Sequence, residues 1–301
     1  MPRAAPDPPA PPTLAVHLAL LTVQAAFSGL HVFGKVVLES VPPLALASIR
    51  VLFAAPTLLL LAYWRERVIP RWTDLPRLAL LGLFGVFLNQ VLFISGLRLT
   101  TATNAAILMP AIPVFAVGLG AALGLERTSG RRLSGILLAV SGTLVILDPT
   151  RFSLSRGGSL GDLLVLLNCV SYAAFLVLQR PLLERLGWRT VLAWAFLLGG
   201  AGVVSVGGGE LAALSPAAVP PAARWGLVYI LLFPTLLAYT LNTWAVRRSS
   251  AVTAAAYTTL QPLLTALAAV PLLGEPLGWR QLLGFALIAA GLWRAGRRRA
   301  V

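Results

Sequence analysis

The stretch ATNAAILMPAIPVFAVGLGAALGLERTSGRRLSGILLAVSG, residues 102–142, recurs without a gap as AVTAAAYTTLQPLLTALAAVPLLGEPLGWRQLLGFALIAAG, residues 251–291. At a constant offset of 149 residues, the copies share two pairs of glycines as well as Pro113 with Pro262, Glu126 with Glu275, and Arg131 with Arg280. Coincidences of Leu and Ala are expected in so apolar a chain, but matches at Pro, Glu, Arg and Gly are not. Each copy covers two apolar segments and the charged turn between them. The repeat therefore predicts a membrane bundle built by duplication, as in many secondary transporters.

The composition predicts that the chain lies in a lipid bilayer. Hydrophobic residues make up 58% of it and charged residues 11%, and the mean hydropathy is +0.85, which is outside the range of soluble domains. Apolar windows of about twenty residues, enough to cross the hydrocarbon core, recur along the whole length. We predict an all-α polytopic membrane protein with ten transmembrane helices, at residues 14–34, 44–63, 77–97, 102–123, 132–147, 162–180, 190–207, 226–246, 252–273 and 280–296.

Basic residues are distributed unevenly between the two sets of turns. The tails and the even-numbered turns hold seventeen of the 24 Lys and Arg residues, the odd-numbered turns hold six, and Arg50 lies within the second span. By the positive-inside rule, this predicts a multi-pass protein of the inner (cytoplasmic) membrane with both termini in the cytoplasm. Because each half has five spans, an odd number, the second half must be inverted relative to the first. The same distribution accounts for the net charge of +14, so we expect no nucleic-acid partner.

The predicted repeats divide the chain into five parts. These are a disordered, proline-rich cytoplasmic tail at 1–13, a first five-helix repeat at 14–148, a linker at 149–161, a second, inverted five-helix repeat at 162–296, and a basic cytoplasmic tail at 297–301.

The sequence contains no pattern typical of an enzyme. Every acidic residue falls in a tail, a turn or the end of a span, so no pair of carboxylates meets in the middle of the membrane. His17 and His31 lie about 21 Å apart along one helix, too far to share a metal ion. Cys169 is the only cysteine. We therefore predict no catalytic residues, no metal site and no cofactor.

Neutral polar and aromatic residues are concentrated in spans 1, 3, 6, 8 and 9. A buried amide without a partner costs several kcal/mol in hydrocarbon, so these groups should face the bundle interior or a wet cavity. Hydrogen bonding between helices would explain any one of them, but a polar cavity explains the collection better. The predicted substrate-binding residues are Gln24, Ser28, His31, Asn89, Gln90, Tyr172, Tyr239, Asn242, Tyr257 and Gln261. Among them, His31 is the candidate for coupling to protons.

Two further features concern charge and helix geometry. Arg50 lies roughly 10 Å inside span 2 and has two interpretations. It could anchor the helix, by extending outward or by pairing with Glu39, or it could recognise a substrate carboxylate or phosphate.

Prolines interrupt spans 4 and 9, where matched kinks in two repeats favour a binding site and its gates. The predicted gating residues are Pro110, Pro113 and Pro262.

Two segments carry a resemblance to a known family. LLTVQAAFSGLHVFGKVVLESVPPLALASIRVLFAAP, residues 20–56, and LNQVLFISGLRLTTATNAAILMPAIPVF, residues 88–115, resemble the EamA-type branch of the drug/metabolite transporter superfamily, in particular its plant nodulin-like members. The resemblance implies a cavity lined by spans 1, 3, 4, 6, 8 and 9 and alternating access by rocking of two four-helix units. It also implies peripheral spans 5 and 10 that could form a homodimer. Unlike the small multidrug relatives, this chain has no acidic residue in its first span.

We therefore expect a secondary transporter that moves small organic metabolites across the membrane. Amino acids or related zwitterions are the favoured substrates, and export is the expected direction. The expected partners are this small molecule and the lipid bilayer. Two alternatives stay open. One is an exchanger of sugar phosphates or nucleotide sugars, and the other is a membrane scaffold or lipid-handling protein that transports nothing.

Overall fold

The described part of the chain is entirely helical in its regular structure. The computed structural model describes residues 13–123, 134–135, 137–138, 141–142, 145, 157–275 and 277–296. We number its helices α1 (Leu14–Leu38), α2 (Pro43–Arg65), α3 (Trp72–Leu99), α4 (Ala102–Ala122), α5 (Gly157–Leu178), α6 (Arg180–Leu186), α7 (Trp188–Ala213), α8 (Pro221–Arg248), α9 (Ala251–Leu273) and α10 (Trp279–Gly296).

Eight of these helices are long and apolar enough to cross a membrane, so ten spans are not established. The predicted span at 132–147 lies largely outside the described residues, although the residues described between 134 and 145 are helical. The predicted span at 280–296 forms α10, which is not one of the eight. Polar residues near both ends, Arg280, Gln281 and Arg294, leave about twelve apolar residues between them, roughly 18 Å of helix. Residues 1–12, most of the linker and the tail at 297–301 also lie outside the described residues.

The antiparallel pair α2 and α7 is joined at both ends by carboxylates. At the end of α2, Glu66 accepts hydrogen bonds from the second and third residues of α7, including Thr190 N at 2.9 Å, and pairs with Arg189 at 3.3 Å. Near the end of α7, Glu210 accepts from Leu44 N at 2.8 Å and Ala45 N at 3.2 Å, in the first turn of α2. Each helix thus neutralises the unpaired N–H groups and the positive dipole end of the other.

The pair α4 and α9 shares this arrangement at one end. Glu275, just after α9, accepts hydrogen bonds from Ala102 N at 2.8 Å and Thr103 N at 2.7 Å, the first two residues of α4. Its repeat equivalent, Glu126, lies outside the described residues. We call the side of the bundle where α1 begins the near side, and the side where α1 ends and α4 begins the far side. Glu66 is on the near side, while Glu210 and Glu275 are on the far side.

Helices α4 and α9 cross at equivalent points of the two repeats. The Thr258 hydroxyl lies 3.3 Å from Met109 O, and these two residues are 149 positions apart, which is the offset of the repeat. The N-terminal half of each helix packs against the C-terminal half of the other. This geometry fits an inverted repeat whose pseudo-twofold axis passes between α4 and α9.

Close backbone contact holds α3 against α7. A Cβ atom built on Gly82 would lie 2.7 Å from Gly199 N, a distance that no side chain tolerates. Small residues at this crossing allow the two backbones to approach, which is the usual way in which membrane helices associate. Helices α2, α3 and α7 thus form one packed unit beside the α4 and α9 pair.

We predict that the carboxylate at the end of α7 stabilises the α2 and α7 pair. In Glu210→Ala, the first turn of α2 loses its acceptor, and the free energy of unfolding should fall by about 1–2 kcal/mol. Reversible unfolding in mixed micelles measures this change. Glu184→Ala is the matched control, because Glu184 is 68% exposed and pairs only with Arg180 across one helical turn. A loss in Glu210→Ala no larger than in this control would contradict the prediction.

Candidate functional site

A central cavity lies where the two repeats meet. Its volume is about 40 Å³, well below the roughly 300–1,000 Å³ of pre-formed small-molecule sites, so its walls must move apart to admit an organic substrate. Helices α1, α3, α4, α5, α8 and α9 contribute to its wall. The lining residues are Phe27, Leu30, His31, Asn89, Phe93, Met109, Ile112, Asn168, Tyr172, Tyr239 and Gln261.

A π-helical turn, Leu231–Leu237, interrupts α8 beside the cavity. Pro234 has no N–H group to donate to Ile230 O, its partner in an unbroken helix. The wider π-helical turn brings Thr235 N to Ile230 O in place of this missing donor. The Thr235 hydroxyl also donates to Ile230 O at 2.6 Å, and Arg50 Nε of α2 donates to the Thr235 hydroxyl oxygen at 2.9 Å. A relay of two side chains thus adds to the backbone bond at this carbonyl.

A second proline in the interior is handled in a similar way. Helix α4 is broken at Met109 and Pro110, and Pro113 cannot donate to Met109 O. Thr258 of α9 lies within hydrogen-bonding distance of that oxygen and also of Ala255 O, at 2.7 Å, in its own helix. Since a hydroxyl has one proton, the two bonds are alternatives. Ile112 N donates to Met109 O at 2.9 Å, so the break in α4 keeps a backbone hydrogen bond, and Thr258 adds a contact from the equivalent position of the other repeat.

Helix α3 contains the matching π-helical turn, Leu83–Leu88. Two carbonyl oxygens of this turn are in contact with hydroxyl groups of neighbouring helices. Phe84 O accepts from the Ser171 hydroxyl at 2.7 Å, and Gly85 O lies 3.3 Å from the Tyr239 hydroxyl. The two π-helical turns lie about 149 residues apart in the sequence, as expected for a repeat. Such turns are often found at functional sites.

Cavity residues follow directly after these turns. The Tyr239 hydroxyl lies 2.6 Å from Asn89 Oδ1, and Asn89 Nδ2 donates to Asn168 Oδ1 at 2.7 Å. These bonds form a chain across α8, α3 and α5. Because Asn89 Oδ1 accepts and Asn89 Nδ2 donates, the orientation of the Asn89 amide is fixed. Asn168 Oδ1 is then used as an acceptor, and the Asn168 amide N–H groups are left as the donors at the end of the chain.

Three buried polar atoms of cavity-lining residues have no hydrogen-bond partner among the described residues. They are His31 Nε2, the Tyr172 hydroxyl and Gln261 Oε1. His31 Nδ1 lies 2.8 Å from Phe27 O, so it carries the ring proton and leaves Nε2 as an acceptor. Gln261 Nε2 donates to Gln24 Oε1 at 2.6 Å, which leaves Oε1 of Gln261 as a second acceptor. Buried polar atoms are rarely left unpaired, and a pocket that contains several of them is suited to a polar ligand.

Five of the ten predicted substrate-binding residues line the cavity, and five do not. The lining residues are His31, Asn89, Tyr172, Tyr239 and Gln261. Gln24 is bonded to the side chain of Gln261, and Ser28 donates to its carbonyl at 3.4 Å. Tyr257 is bonded to His17, close to the near side, whereas Gln90 and Asn242 are buried outside the lining. The predicted gating residues Pro110, Pro113 and Pro262 are buried in α4 and α9.

The site residues predicted from polarity do not include the aromatic and apolar residues of the cavity wall. Phe27 and Phe93 each lie one helical turn from a polar lining residue, Phe27 before His31 and Phe93 after Asn89. Phe27 packs edge-on against Tyr172 and Tyr239, and Phe93 packs edge-on against His31. Helical spacing of four residues from each polar position would have identified both rings.

Arg50 neither extends outward nor pairs with Glu39. Its side chain is 2% exposed, and its described hydrogen bond is to Thr235. Among the described residues, no carboxylate forms an ion pair with it. The residue thus anchors the kink in α8, and its role in recognising a substrate charge stays a prediction.

Comparison with known proteins identifies the family. The model of the EamA-like transporter family matches residues 14–148 and again residues 159–295. The chain belongs to the EamA-like transporter family. The resemblance seen in the sequence is therefore confirmed, including the relation to the plant members. The double match also shows that this EamA-family chain contains two repeats.

Relatives cover nearly the whole chain. An uncharacterized transporter of Archaeoglobus fulgidus is 28% identical over 283 residues, which span 92% of this chain and 96% of the relative. A WAT1-related protein of Arabidopsis thaliana is 26% identical, over 95% of this chain and 86% of the relative. A probable terminal-alkyne amino-acid exporter of Streptantibioticus cattleyicolor is 32% identical, over 76% of this chain and 75% of the relative. A protein of known crystal structure has the same fold, with a TM-score of 0.66 at 20% identity over 93% of this chain and 96% of its own.

We predict that the hydroxyl relay stabilises the kinked helix. In Thr235→Val, Arg50 Nε loses its acceptor and Ile230 O loses its side-chain donor, which should lower the free energy of unfolding by about 1–3 kcal/mol beyond any packing change. Thr235→Ser keeps the hydroxyl and should lose less. Unfolding of both variants in the same mixed micelles tests this expectation, and equal losses in the two would contradict it.

Proposed function

We propose that this EamA-family transporter moves amino acids or related zwitterions across the cytoplasmic membrane by alternating access. The observation that carries the proposal is the set of unpartnered polar atoms in a cavity with aromatic and apolar walls. Export is the proposed direction, supported by the exporter among the relatives. We also propose that both termini are cytoplasmic, which would make the far side the external one. A homodimer through peripheral helices is a further part of the proposal.

The chemistry of the cavity fits a primary ammonium group. His31 Nε2 and Gln261 Oε1 are acceptors without a donor, and an ammonium group supplies three N–H donors. The rings of Phe27 and Phe93 add faces that attract a cation. We propose that these groups hold the substrate nitrogen.

The opposite charge of a zwitterion would be held by neutral donors. The Tyr172 hydroxyl has no partner, and the Asn168 amide ends the hydrogen-bond chain from Tyr239. Both lie on α5, one helical turn apart, so one carboxylate could accept from both. No lysine or arginine of the described residues lines the cavity, and this supports a molecule without net charge over a sugar phosphate or nucleotide sugar.

Alternating access is supported by the distribution of breaks in the helices. Helices α3, α4, α8 and α9 all contain a break or a tighter or wider turn at the depth of the cavity. The carboxylate-capped α2 and α7 lack such breaks at that depth. We propose that the broken helices change angle at the cavity while the capped pair moves as a rigid unit.

Counterflow into proteoliposomes tests the proposed function. Liposomes loaded with an unlabelled amino acid should take up the labelled form, and a panel of leucine, phenylalanine, threonine and lysine would show the side chains that the cavity accepts. UDP-glucose and glucose 6-phosphate serve as the charged comparison. Uptake of these two alone would favour the exchanger alternative. No uptake of any compound would favour the scaffold or lipid-handling alternative.

We predict that Gln261→Leu and Asn89→Leu impair counterflow by about tenfold or more. Each change leaves a polar partner unpaired or removes an atom that binds the substrate, and the tenfold loss corresponds to about 1.4 kcal/mol of binding free energy. Both variants should still insert, as elution from a sizing column would show. Leu263→Met, on the exposed side of α9, is the matched control. Wild-type counterflow in both Leu variants would assign these amides to helix packing alone.

A further inference from the structure

A buried carboxylate lies on the far side of the bundle, outside the cavity wall. Asp162, in the first turns of α5, is 6% exposed. The Thr100 hydroxyl donates to its Oδ1, and Asn104 Nδ2 donates to its Oδ2 at 3.4 Å. Among the described residues, no basic side chain forms an ion pair with it. Its described partners are therefore neutral.

The partners of Asp162 connect it to the helices that surround the far side. Lys35 of α1 donates to Leu97 O at 3.1 Å and to Thr100 O at 2.7 Å. Gln281 of α10 donates to Asn104 Oδ1 at 3.1 Å. We call Lys35, Thr100, Asn104, Asp162 and Gln281 the far-side network. It joins α1, α5 and α10 to the turn between α3 and α4.

Backbone packing fixes Asp162 in this position. A Cβ atom built on the preceding residue, Gly161, would lie 2.7 Å from Thr100 N and 2.9 Å from Gly96 O. The start of α5 therefore packs directly on the turn that holds Thr100. Because the contact is between backbones, Asp162 cannot move into solvent without separating α5 from α3.

The charged groups around Asp162 have other partners or lie in solvent. Lys35 is bonded to carbonyl oxygens, and Glu275 to the first N–H groups of α4. Arg280 of α10 stacks on Trp279, and Arg98 of α3 is exposed. Helix α4 has no charged residue, and Asp162 is the only one in α5. A buried carboxylate with neutral partners alone is costly when ionised, and in membrane proteins such a group favours a functional role.

We propose that Asp162 is a proton-binding site whose occupancy controls opening of the far side. A hydronium ion transfers its proton to a carboxylate oxygen, which leaves water and a neutral carboxylic acid. Thr100 and Asn104 donate to different oxygens, so the donor that faces the protonated oxygen must turn or lose its bond. The other bond is then made to a neutral oxygen and is weaker than a bond to an anion. Protonation thus loosens the contact of α5 with α3 and α4. Deprotonation restores it.

His31 is less suited to this role. Its Nδ1 proton is already donated to Phe27 O, so protonation would place a cation at Nε2, and no acidic residue of the described chain lines the cavity. We assign His31 to substrate binding and Asp162 to the proton. In the transporter proposed above, on which this inference builds, a proton that enters from the far side would exchange for a substrate that leaves there.

Cysteine accessibility tests the inference without a substrate. In the full-length chain with Cys169→Ser, a Leu30→Cys reporter lies in the cavity wall and is 3% exposed in the wild-type protein. Its labelling by a membrane-impermeant maleimide is measured in nanodiscs between about pH 5 and pH 8, where perturbed carboxyl groups titrate. Each rate is divided by that of the same protein unfolded in detergent, which removes the effect of pH on the thiol. The corrected rate should rise severalfold as the pH falls, and Asp162→Asn should abolish this rise.

Three comparisons decide between Asp162 and other groups. Glu39→Gln removes an exposed acid on the same side and should keep the pH response. His31→Gln should keep it as well. A response that persists in Asp162→Asn, disappears in either control, or is absent from the starting protein would overturn the proposal.

A second variant covers the case in which Asp162→Asn does not fold. Thr100→Val removes one donor to the anion, so the midpoint of the labelling response should move to higher pH. An unchanged midpoint would also overturn the proposal. Because labelling needs no transported compound, its failure leaves the counterflow result standing. Failure of counterflow likewise does not decide the accessibility result.

Discussion

Hydrocarbon offers no hydrogen-bond partner to a backbone carbonyl, and the interior of this protein depends on that constraint. Pro113 and Pro234 each remove the α-helical donor of one carbonyl, and a different backbone N–H replaces it, Ile112 N at Met109 O and Thr235 N, through the π-helical turn, at Ile230 O. A threonine hydroxyl reaches both carbonyls, from α9 at Met109 O and from within α8 at Ile230 O. Arg50 completes the second arrangement. The kinks are therefore defined structures with specific partners, and they determine where Asn89 and Tyr239 face the cavity.

The first N–H groups of a helix also need hydrogen-bond partners, and in both repeats a glutamate side chain accepts from them. Glu66 and Glu210 neutralise the first turns of α7 and α2 on opposite sides of the bundle. Glu275 does so for α4 on the far side. These caps fasten α2 to α7 at both ends, whereas α4 is capped at one end and broken near its middle.

The site itself does not follow the symmetry. Met109 approaches its repeat equivalent Thr258, but one residue is apolar and the other carries a hydroxyl. Asn89 and Tyr239 are also nearly equivalent, and here an amide meets a phenol. Duplication thus accounts for the matched kinks, while divergence at a few positions near the axis left Met109 and Ile112 of α4 apolar where α9 has Thr258 and Gln261.

Much of the fold was determined by the sequence alone. Apolar length and composition predict membrane helices, because crossing hydrocarbon requires about twenty apolar residues whatever they pack against. The repeat predicts duplication and, with the distribution of arginine, inversion. The same rule does not establish α10 as a span, because polar residues at both ends shorten its apolar segment. Polarity identified α1, α3, α5, α8 and α9 as helices that line the cavity, since unpaired amides must face inward, but it did not identify α4, whose lining residues Met109 and Ile112 are apolar.

Only the tertiary structure decided how those polar groups are used. Gln24 and Gln261 were equivalent candidates in the sequence, yet Gln24 is bonded to Gln261, which keeps a free oxygen in the cavity wall. Asp162 appeared as one more acid at the end of a span, and its burial against Thr100 and Asn104 became visible only when α3, α4 and α5 came together. Sequence determines which groups require a partner. Which partner each one finds depends on contacts between residues far apart in the chain, and these exist only in the folded protein.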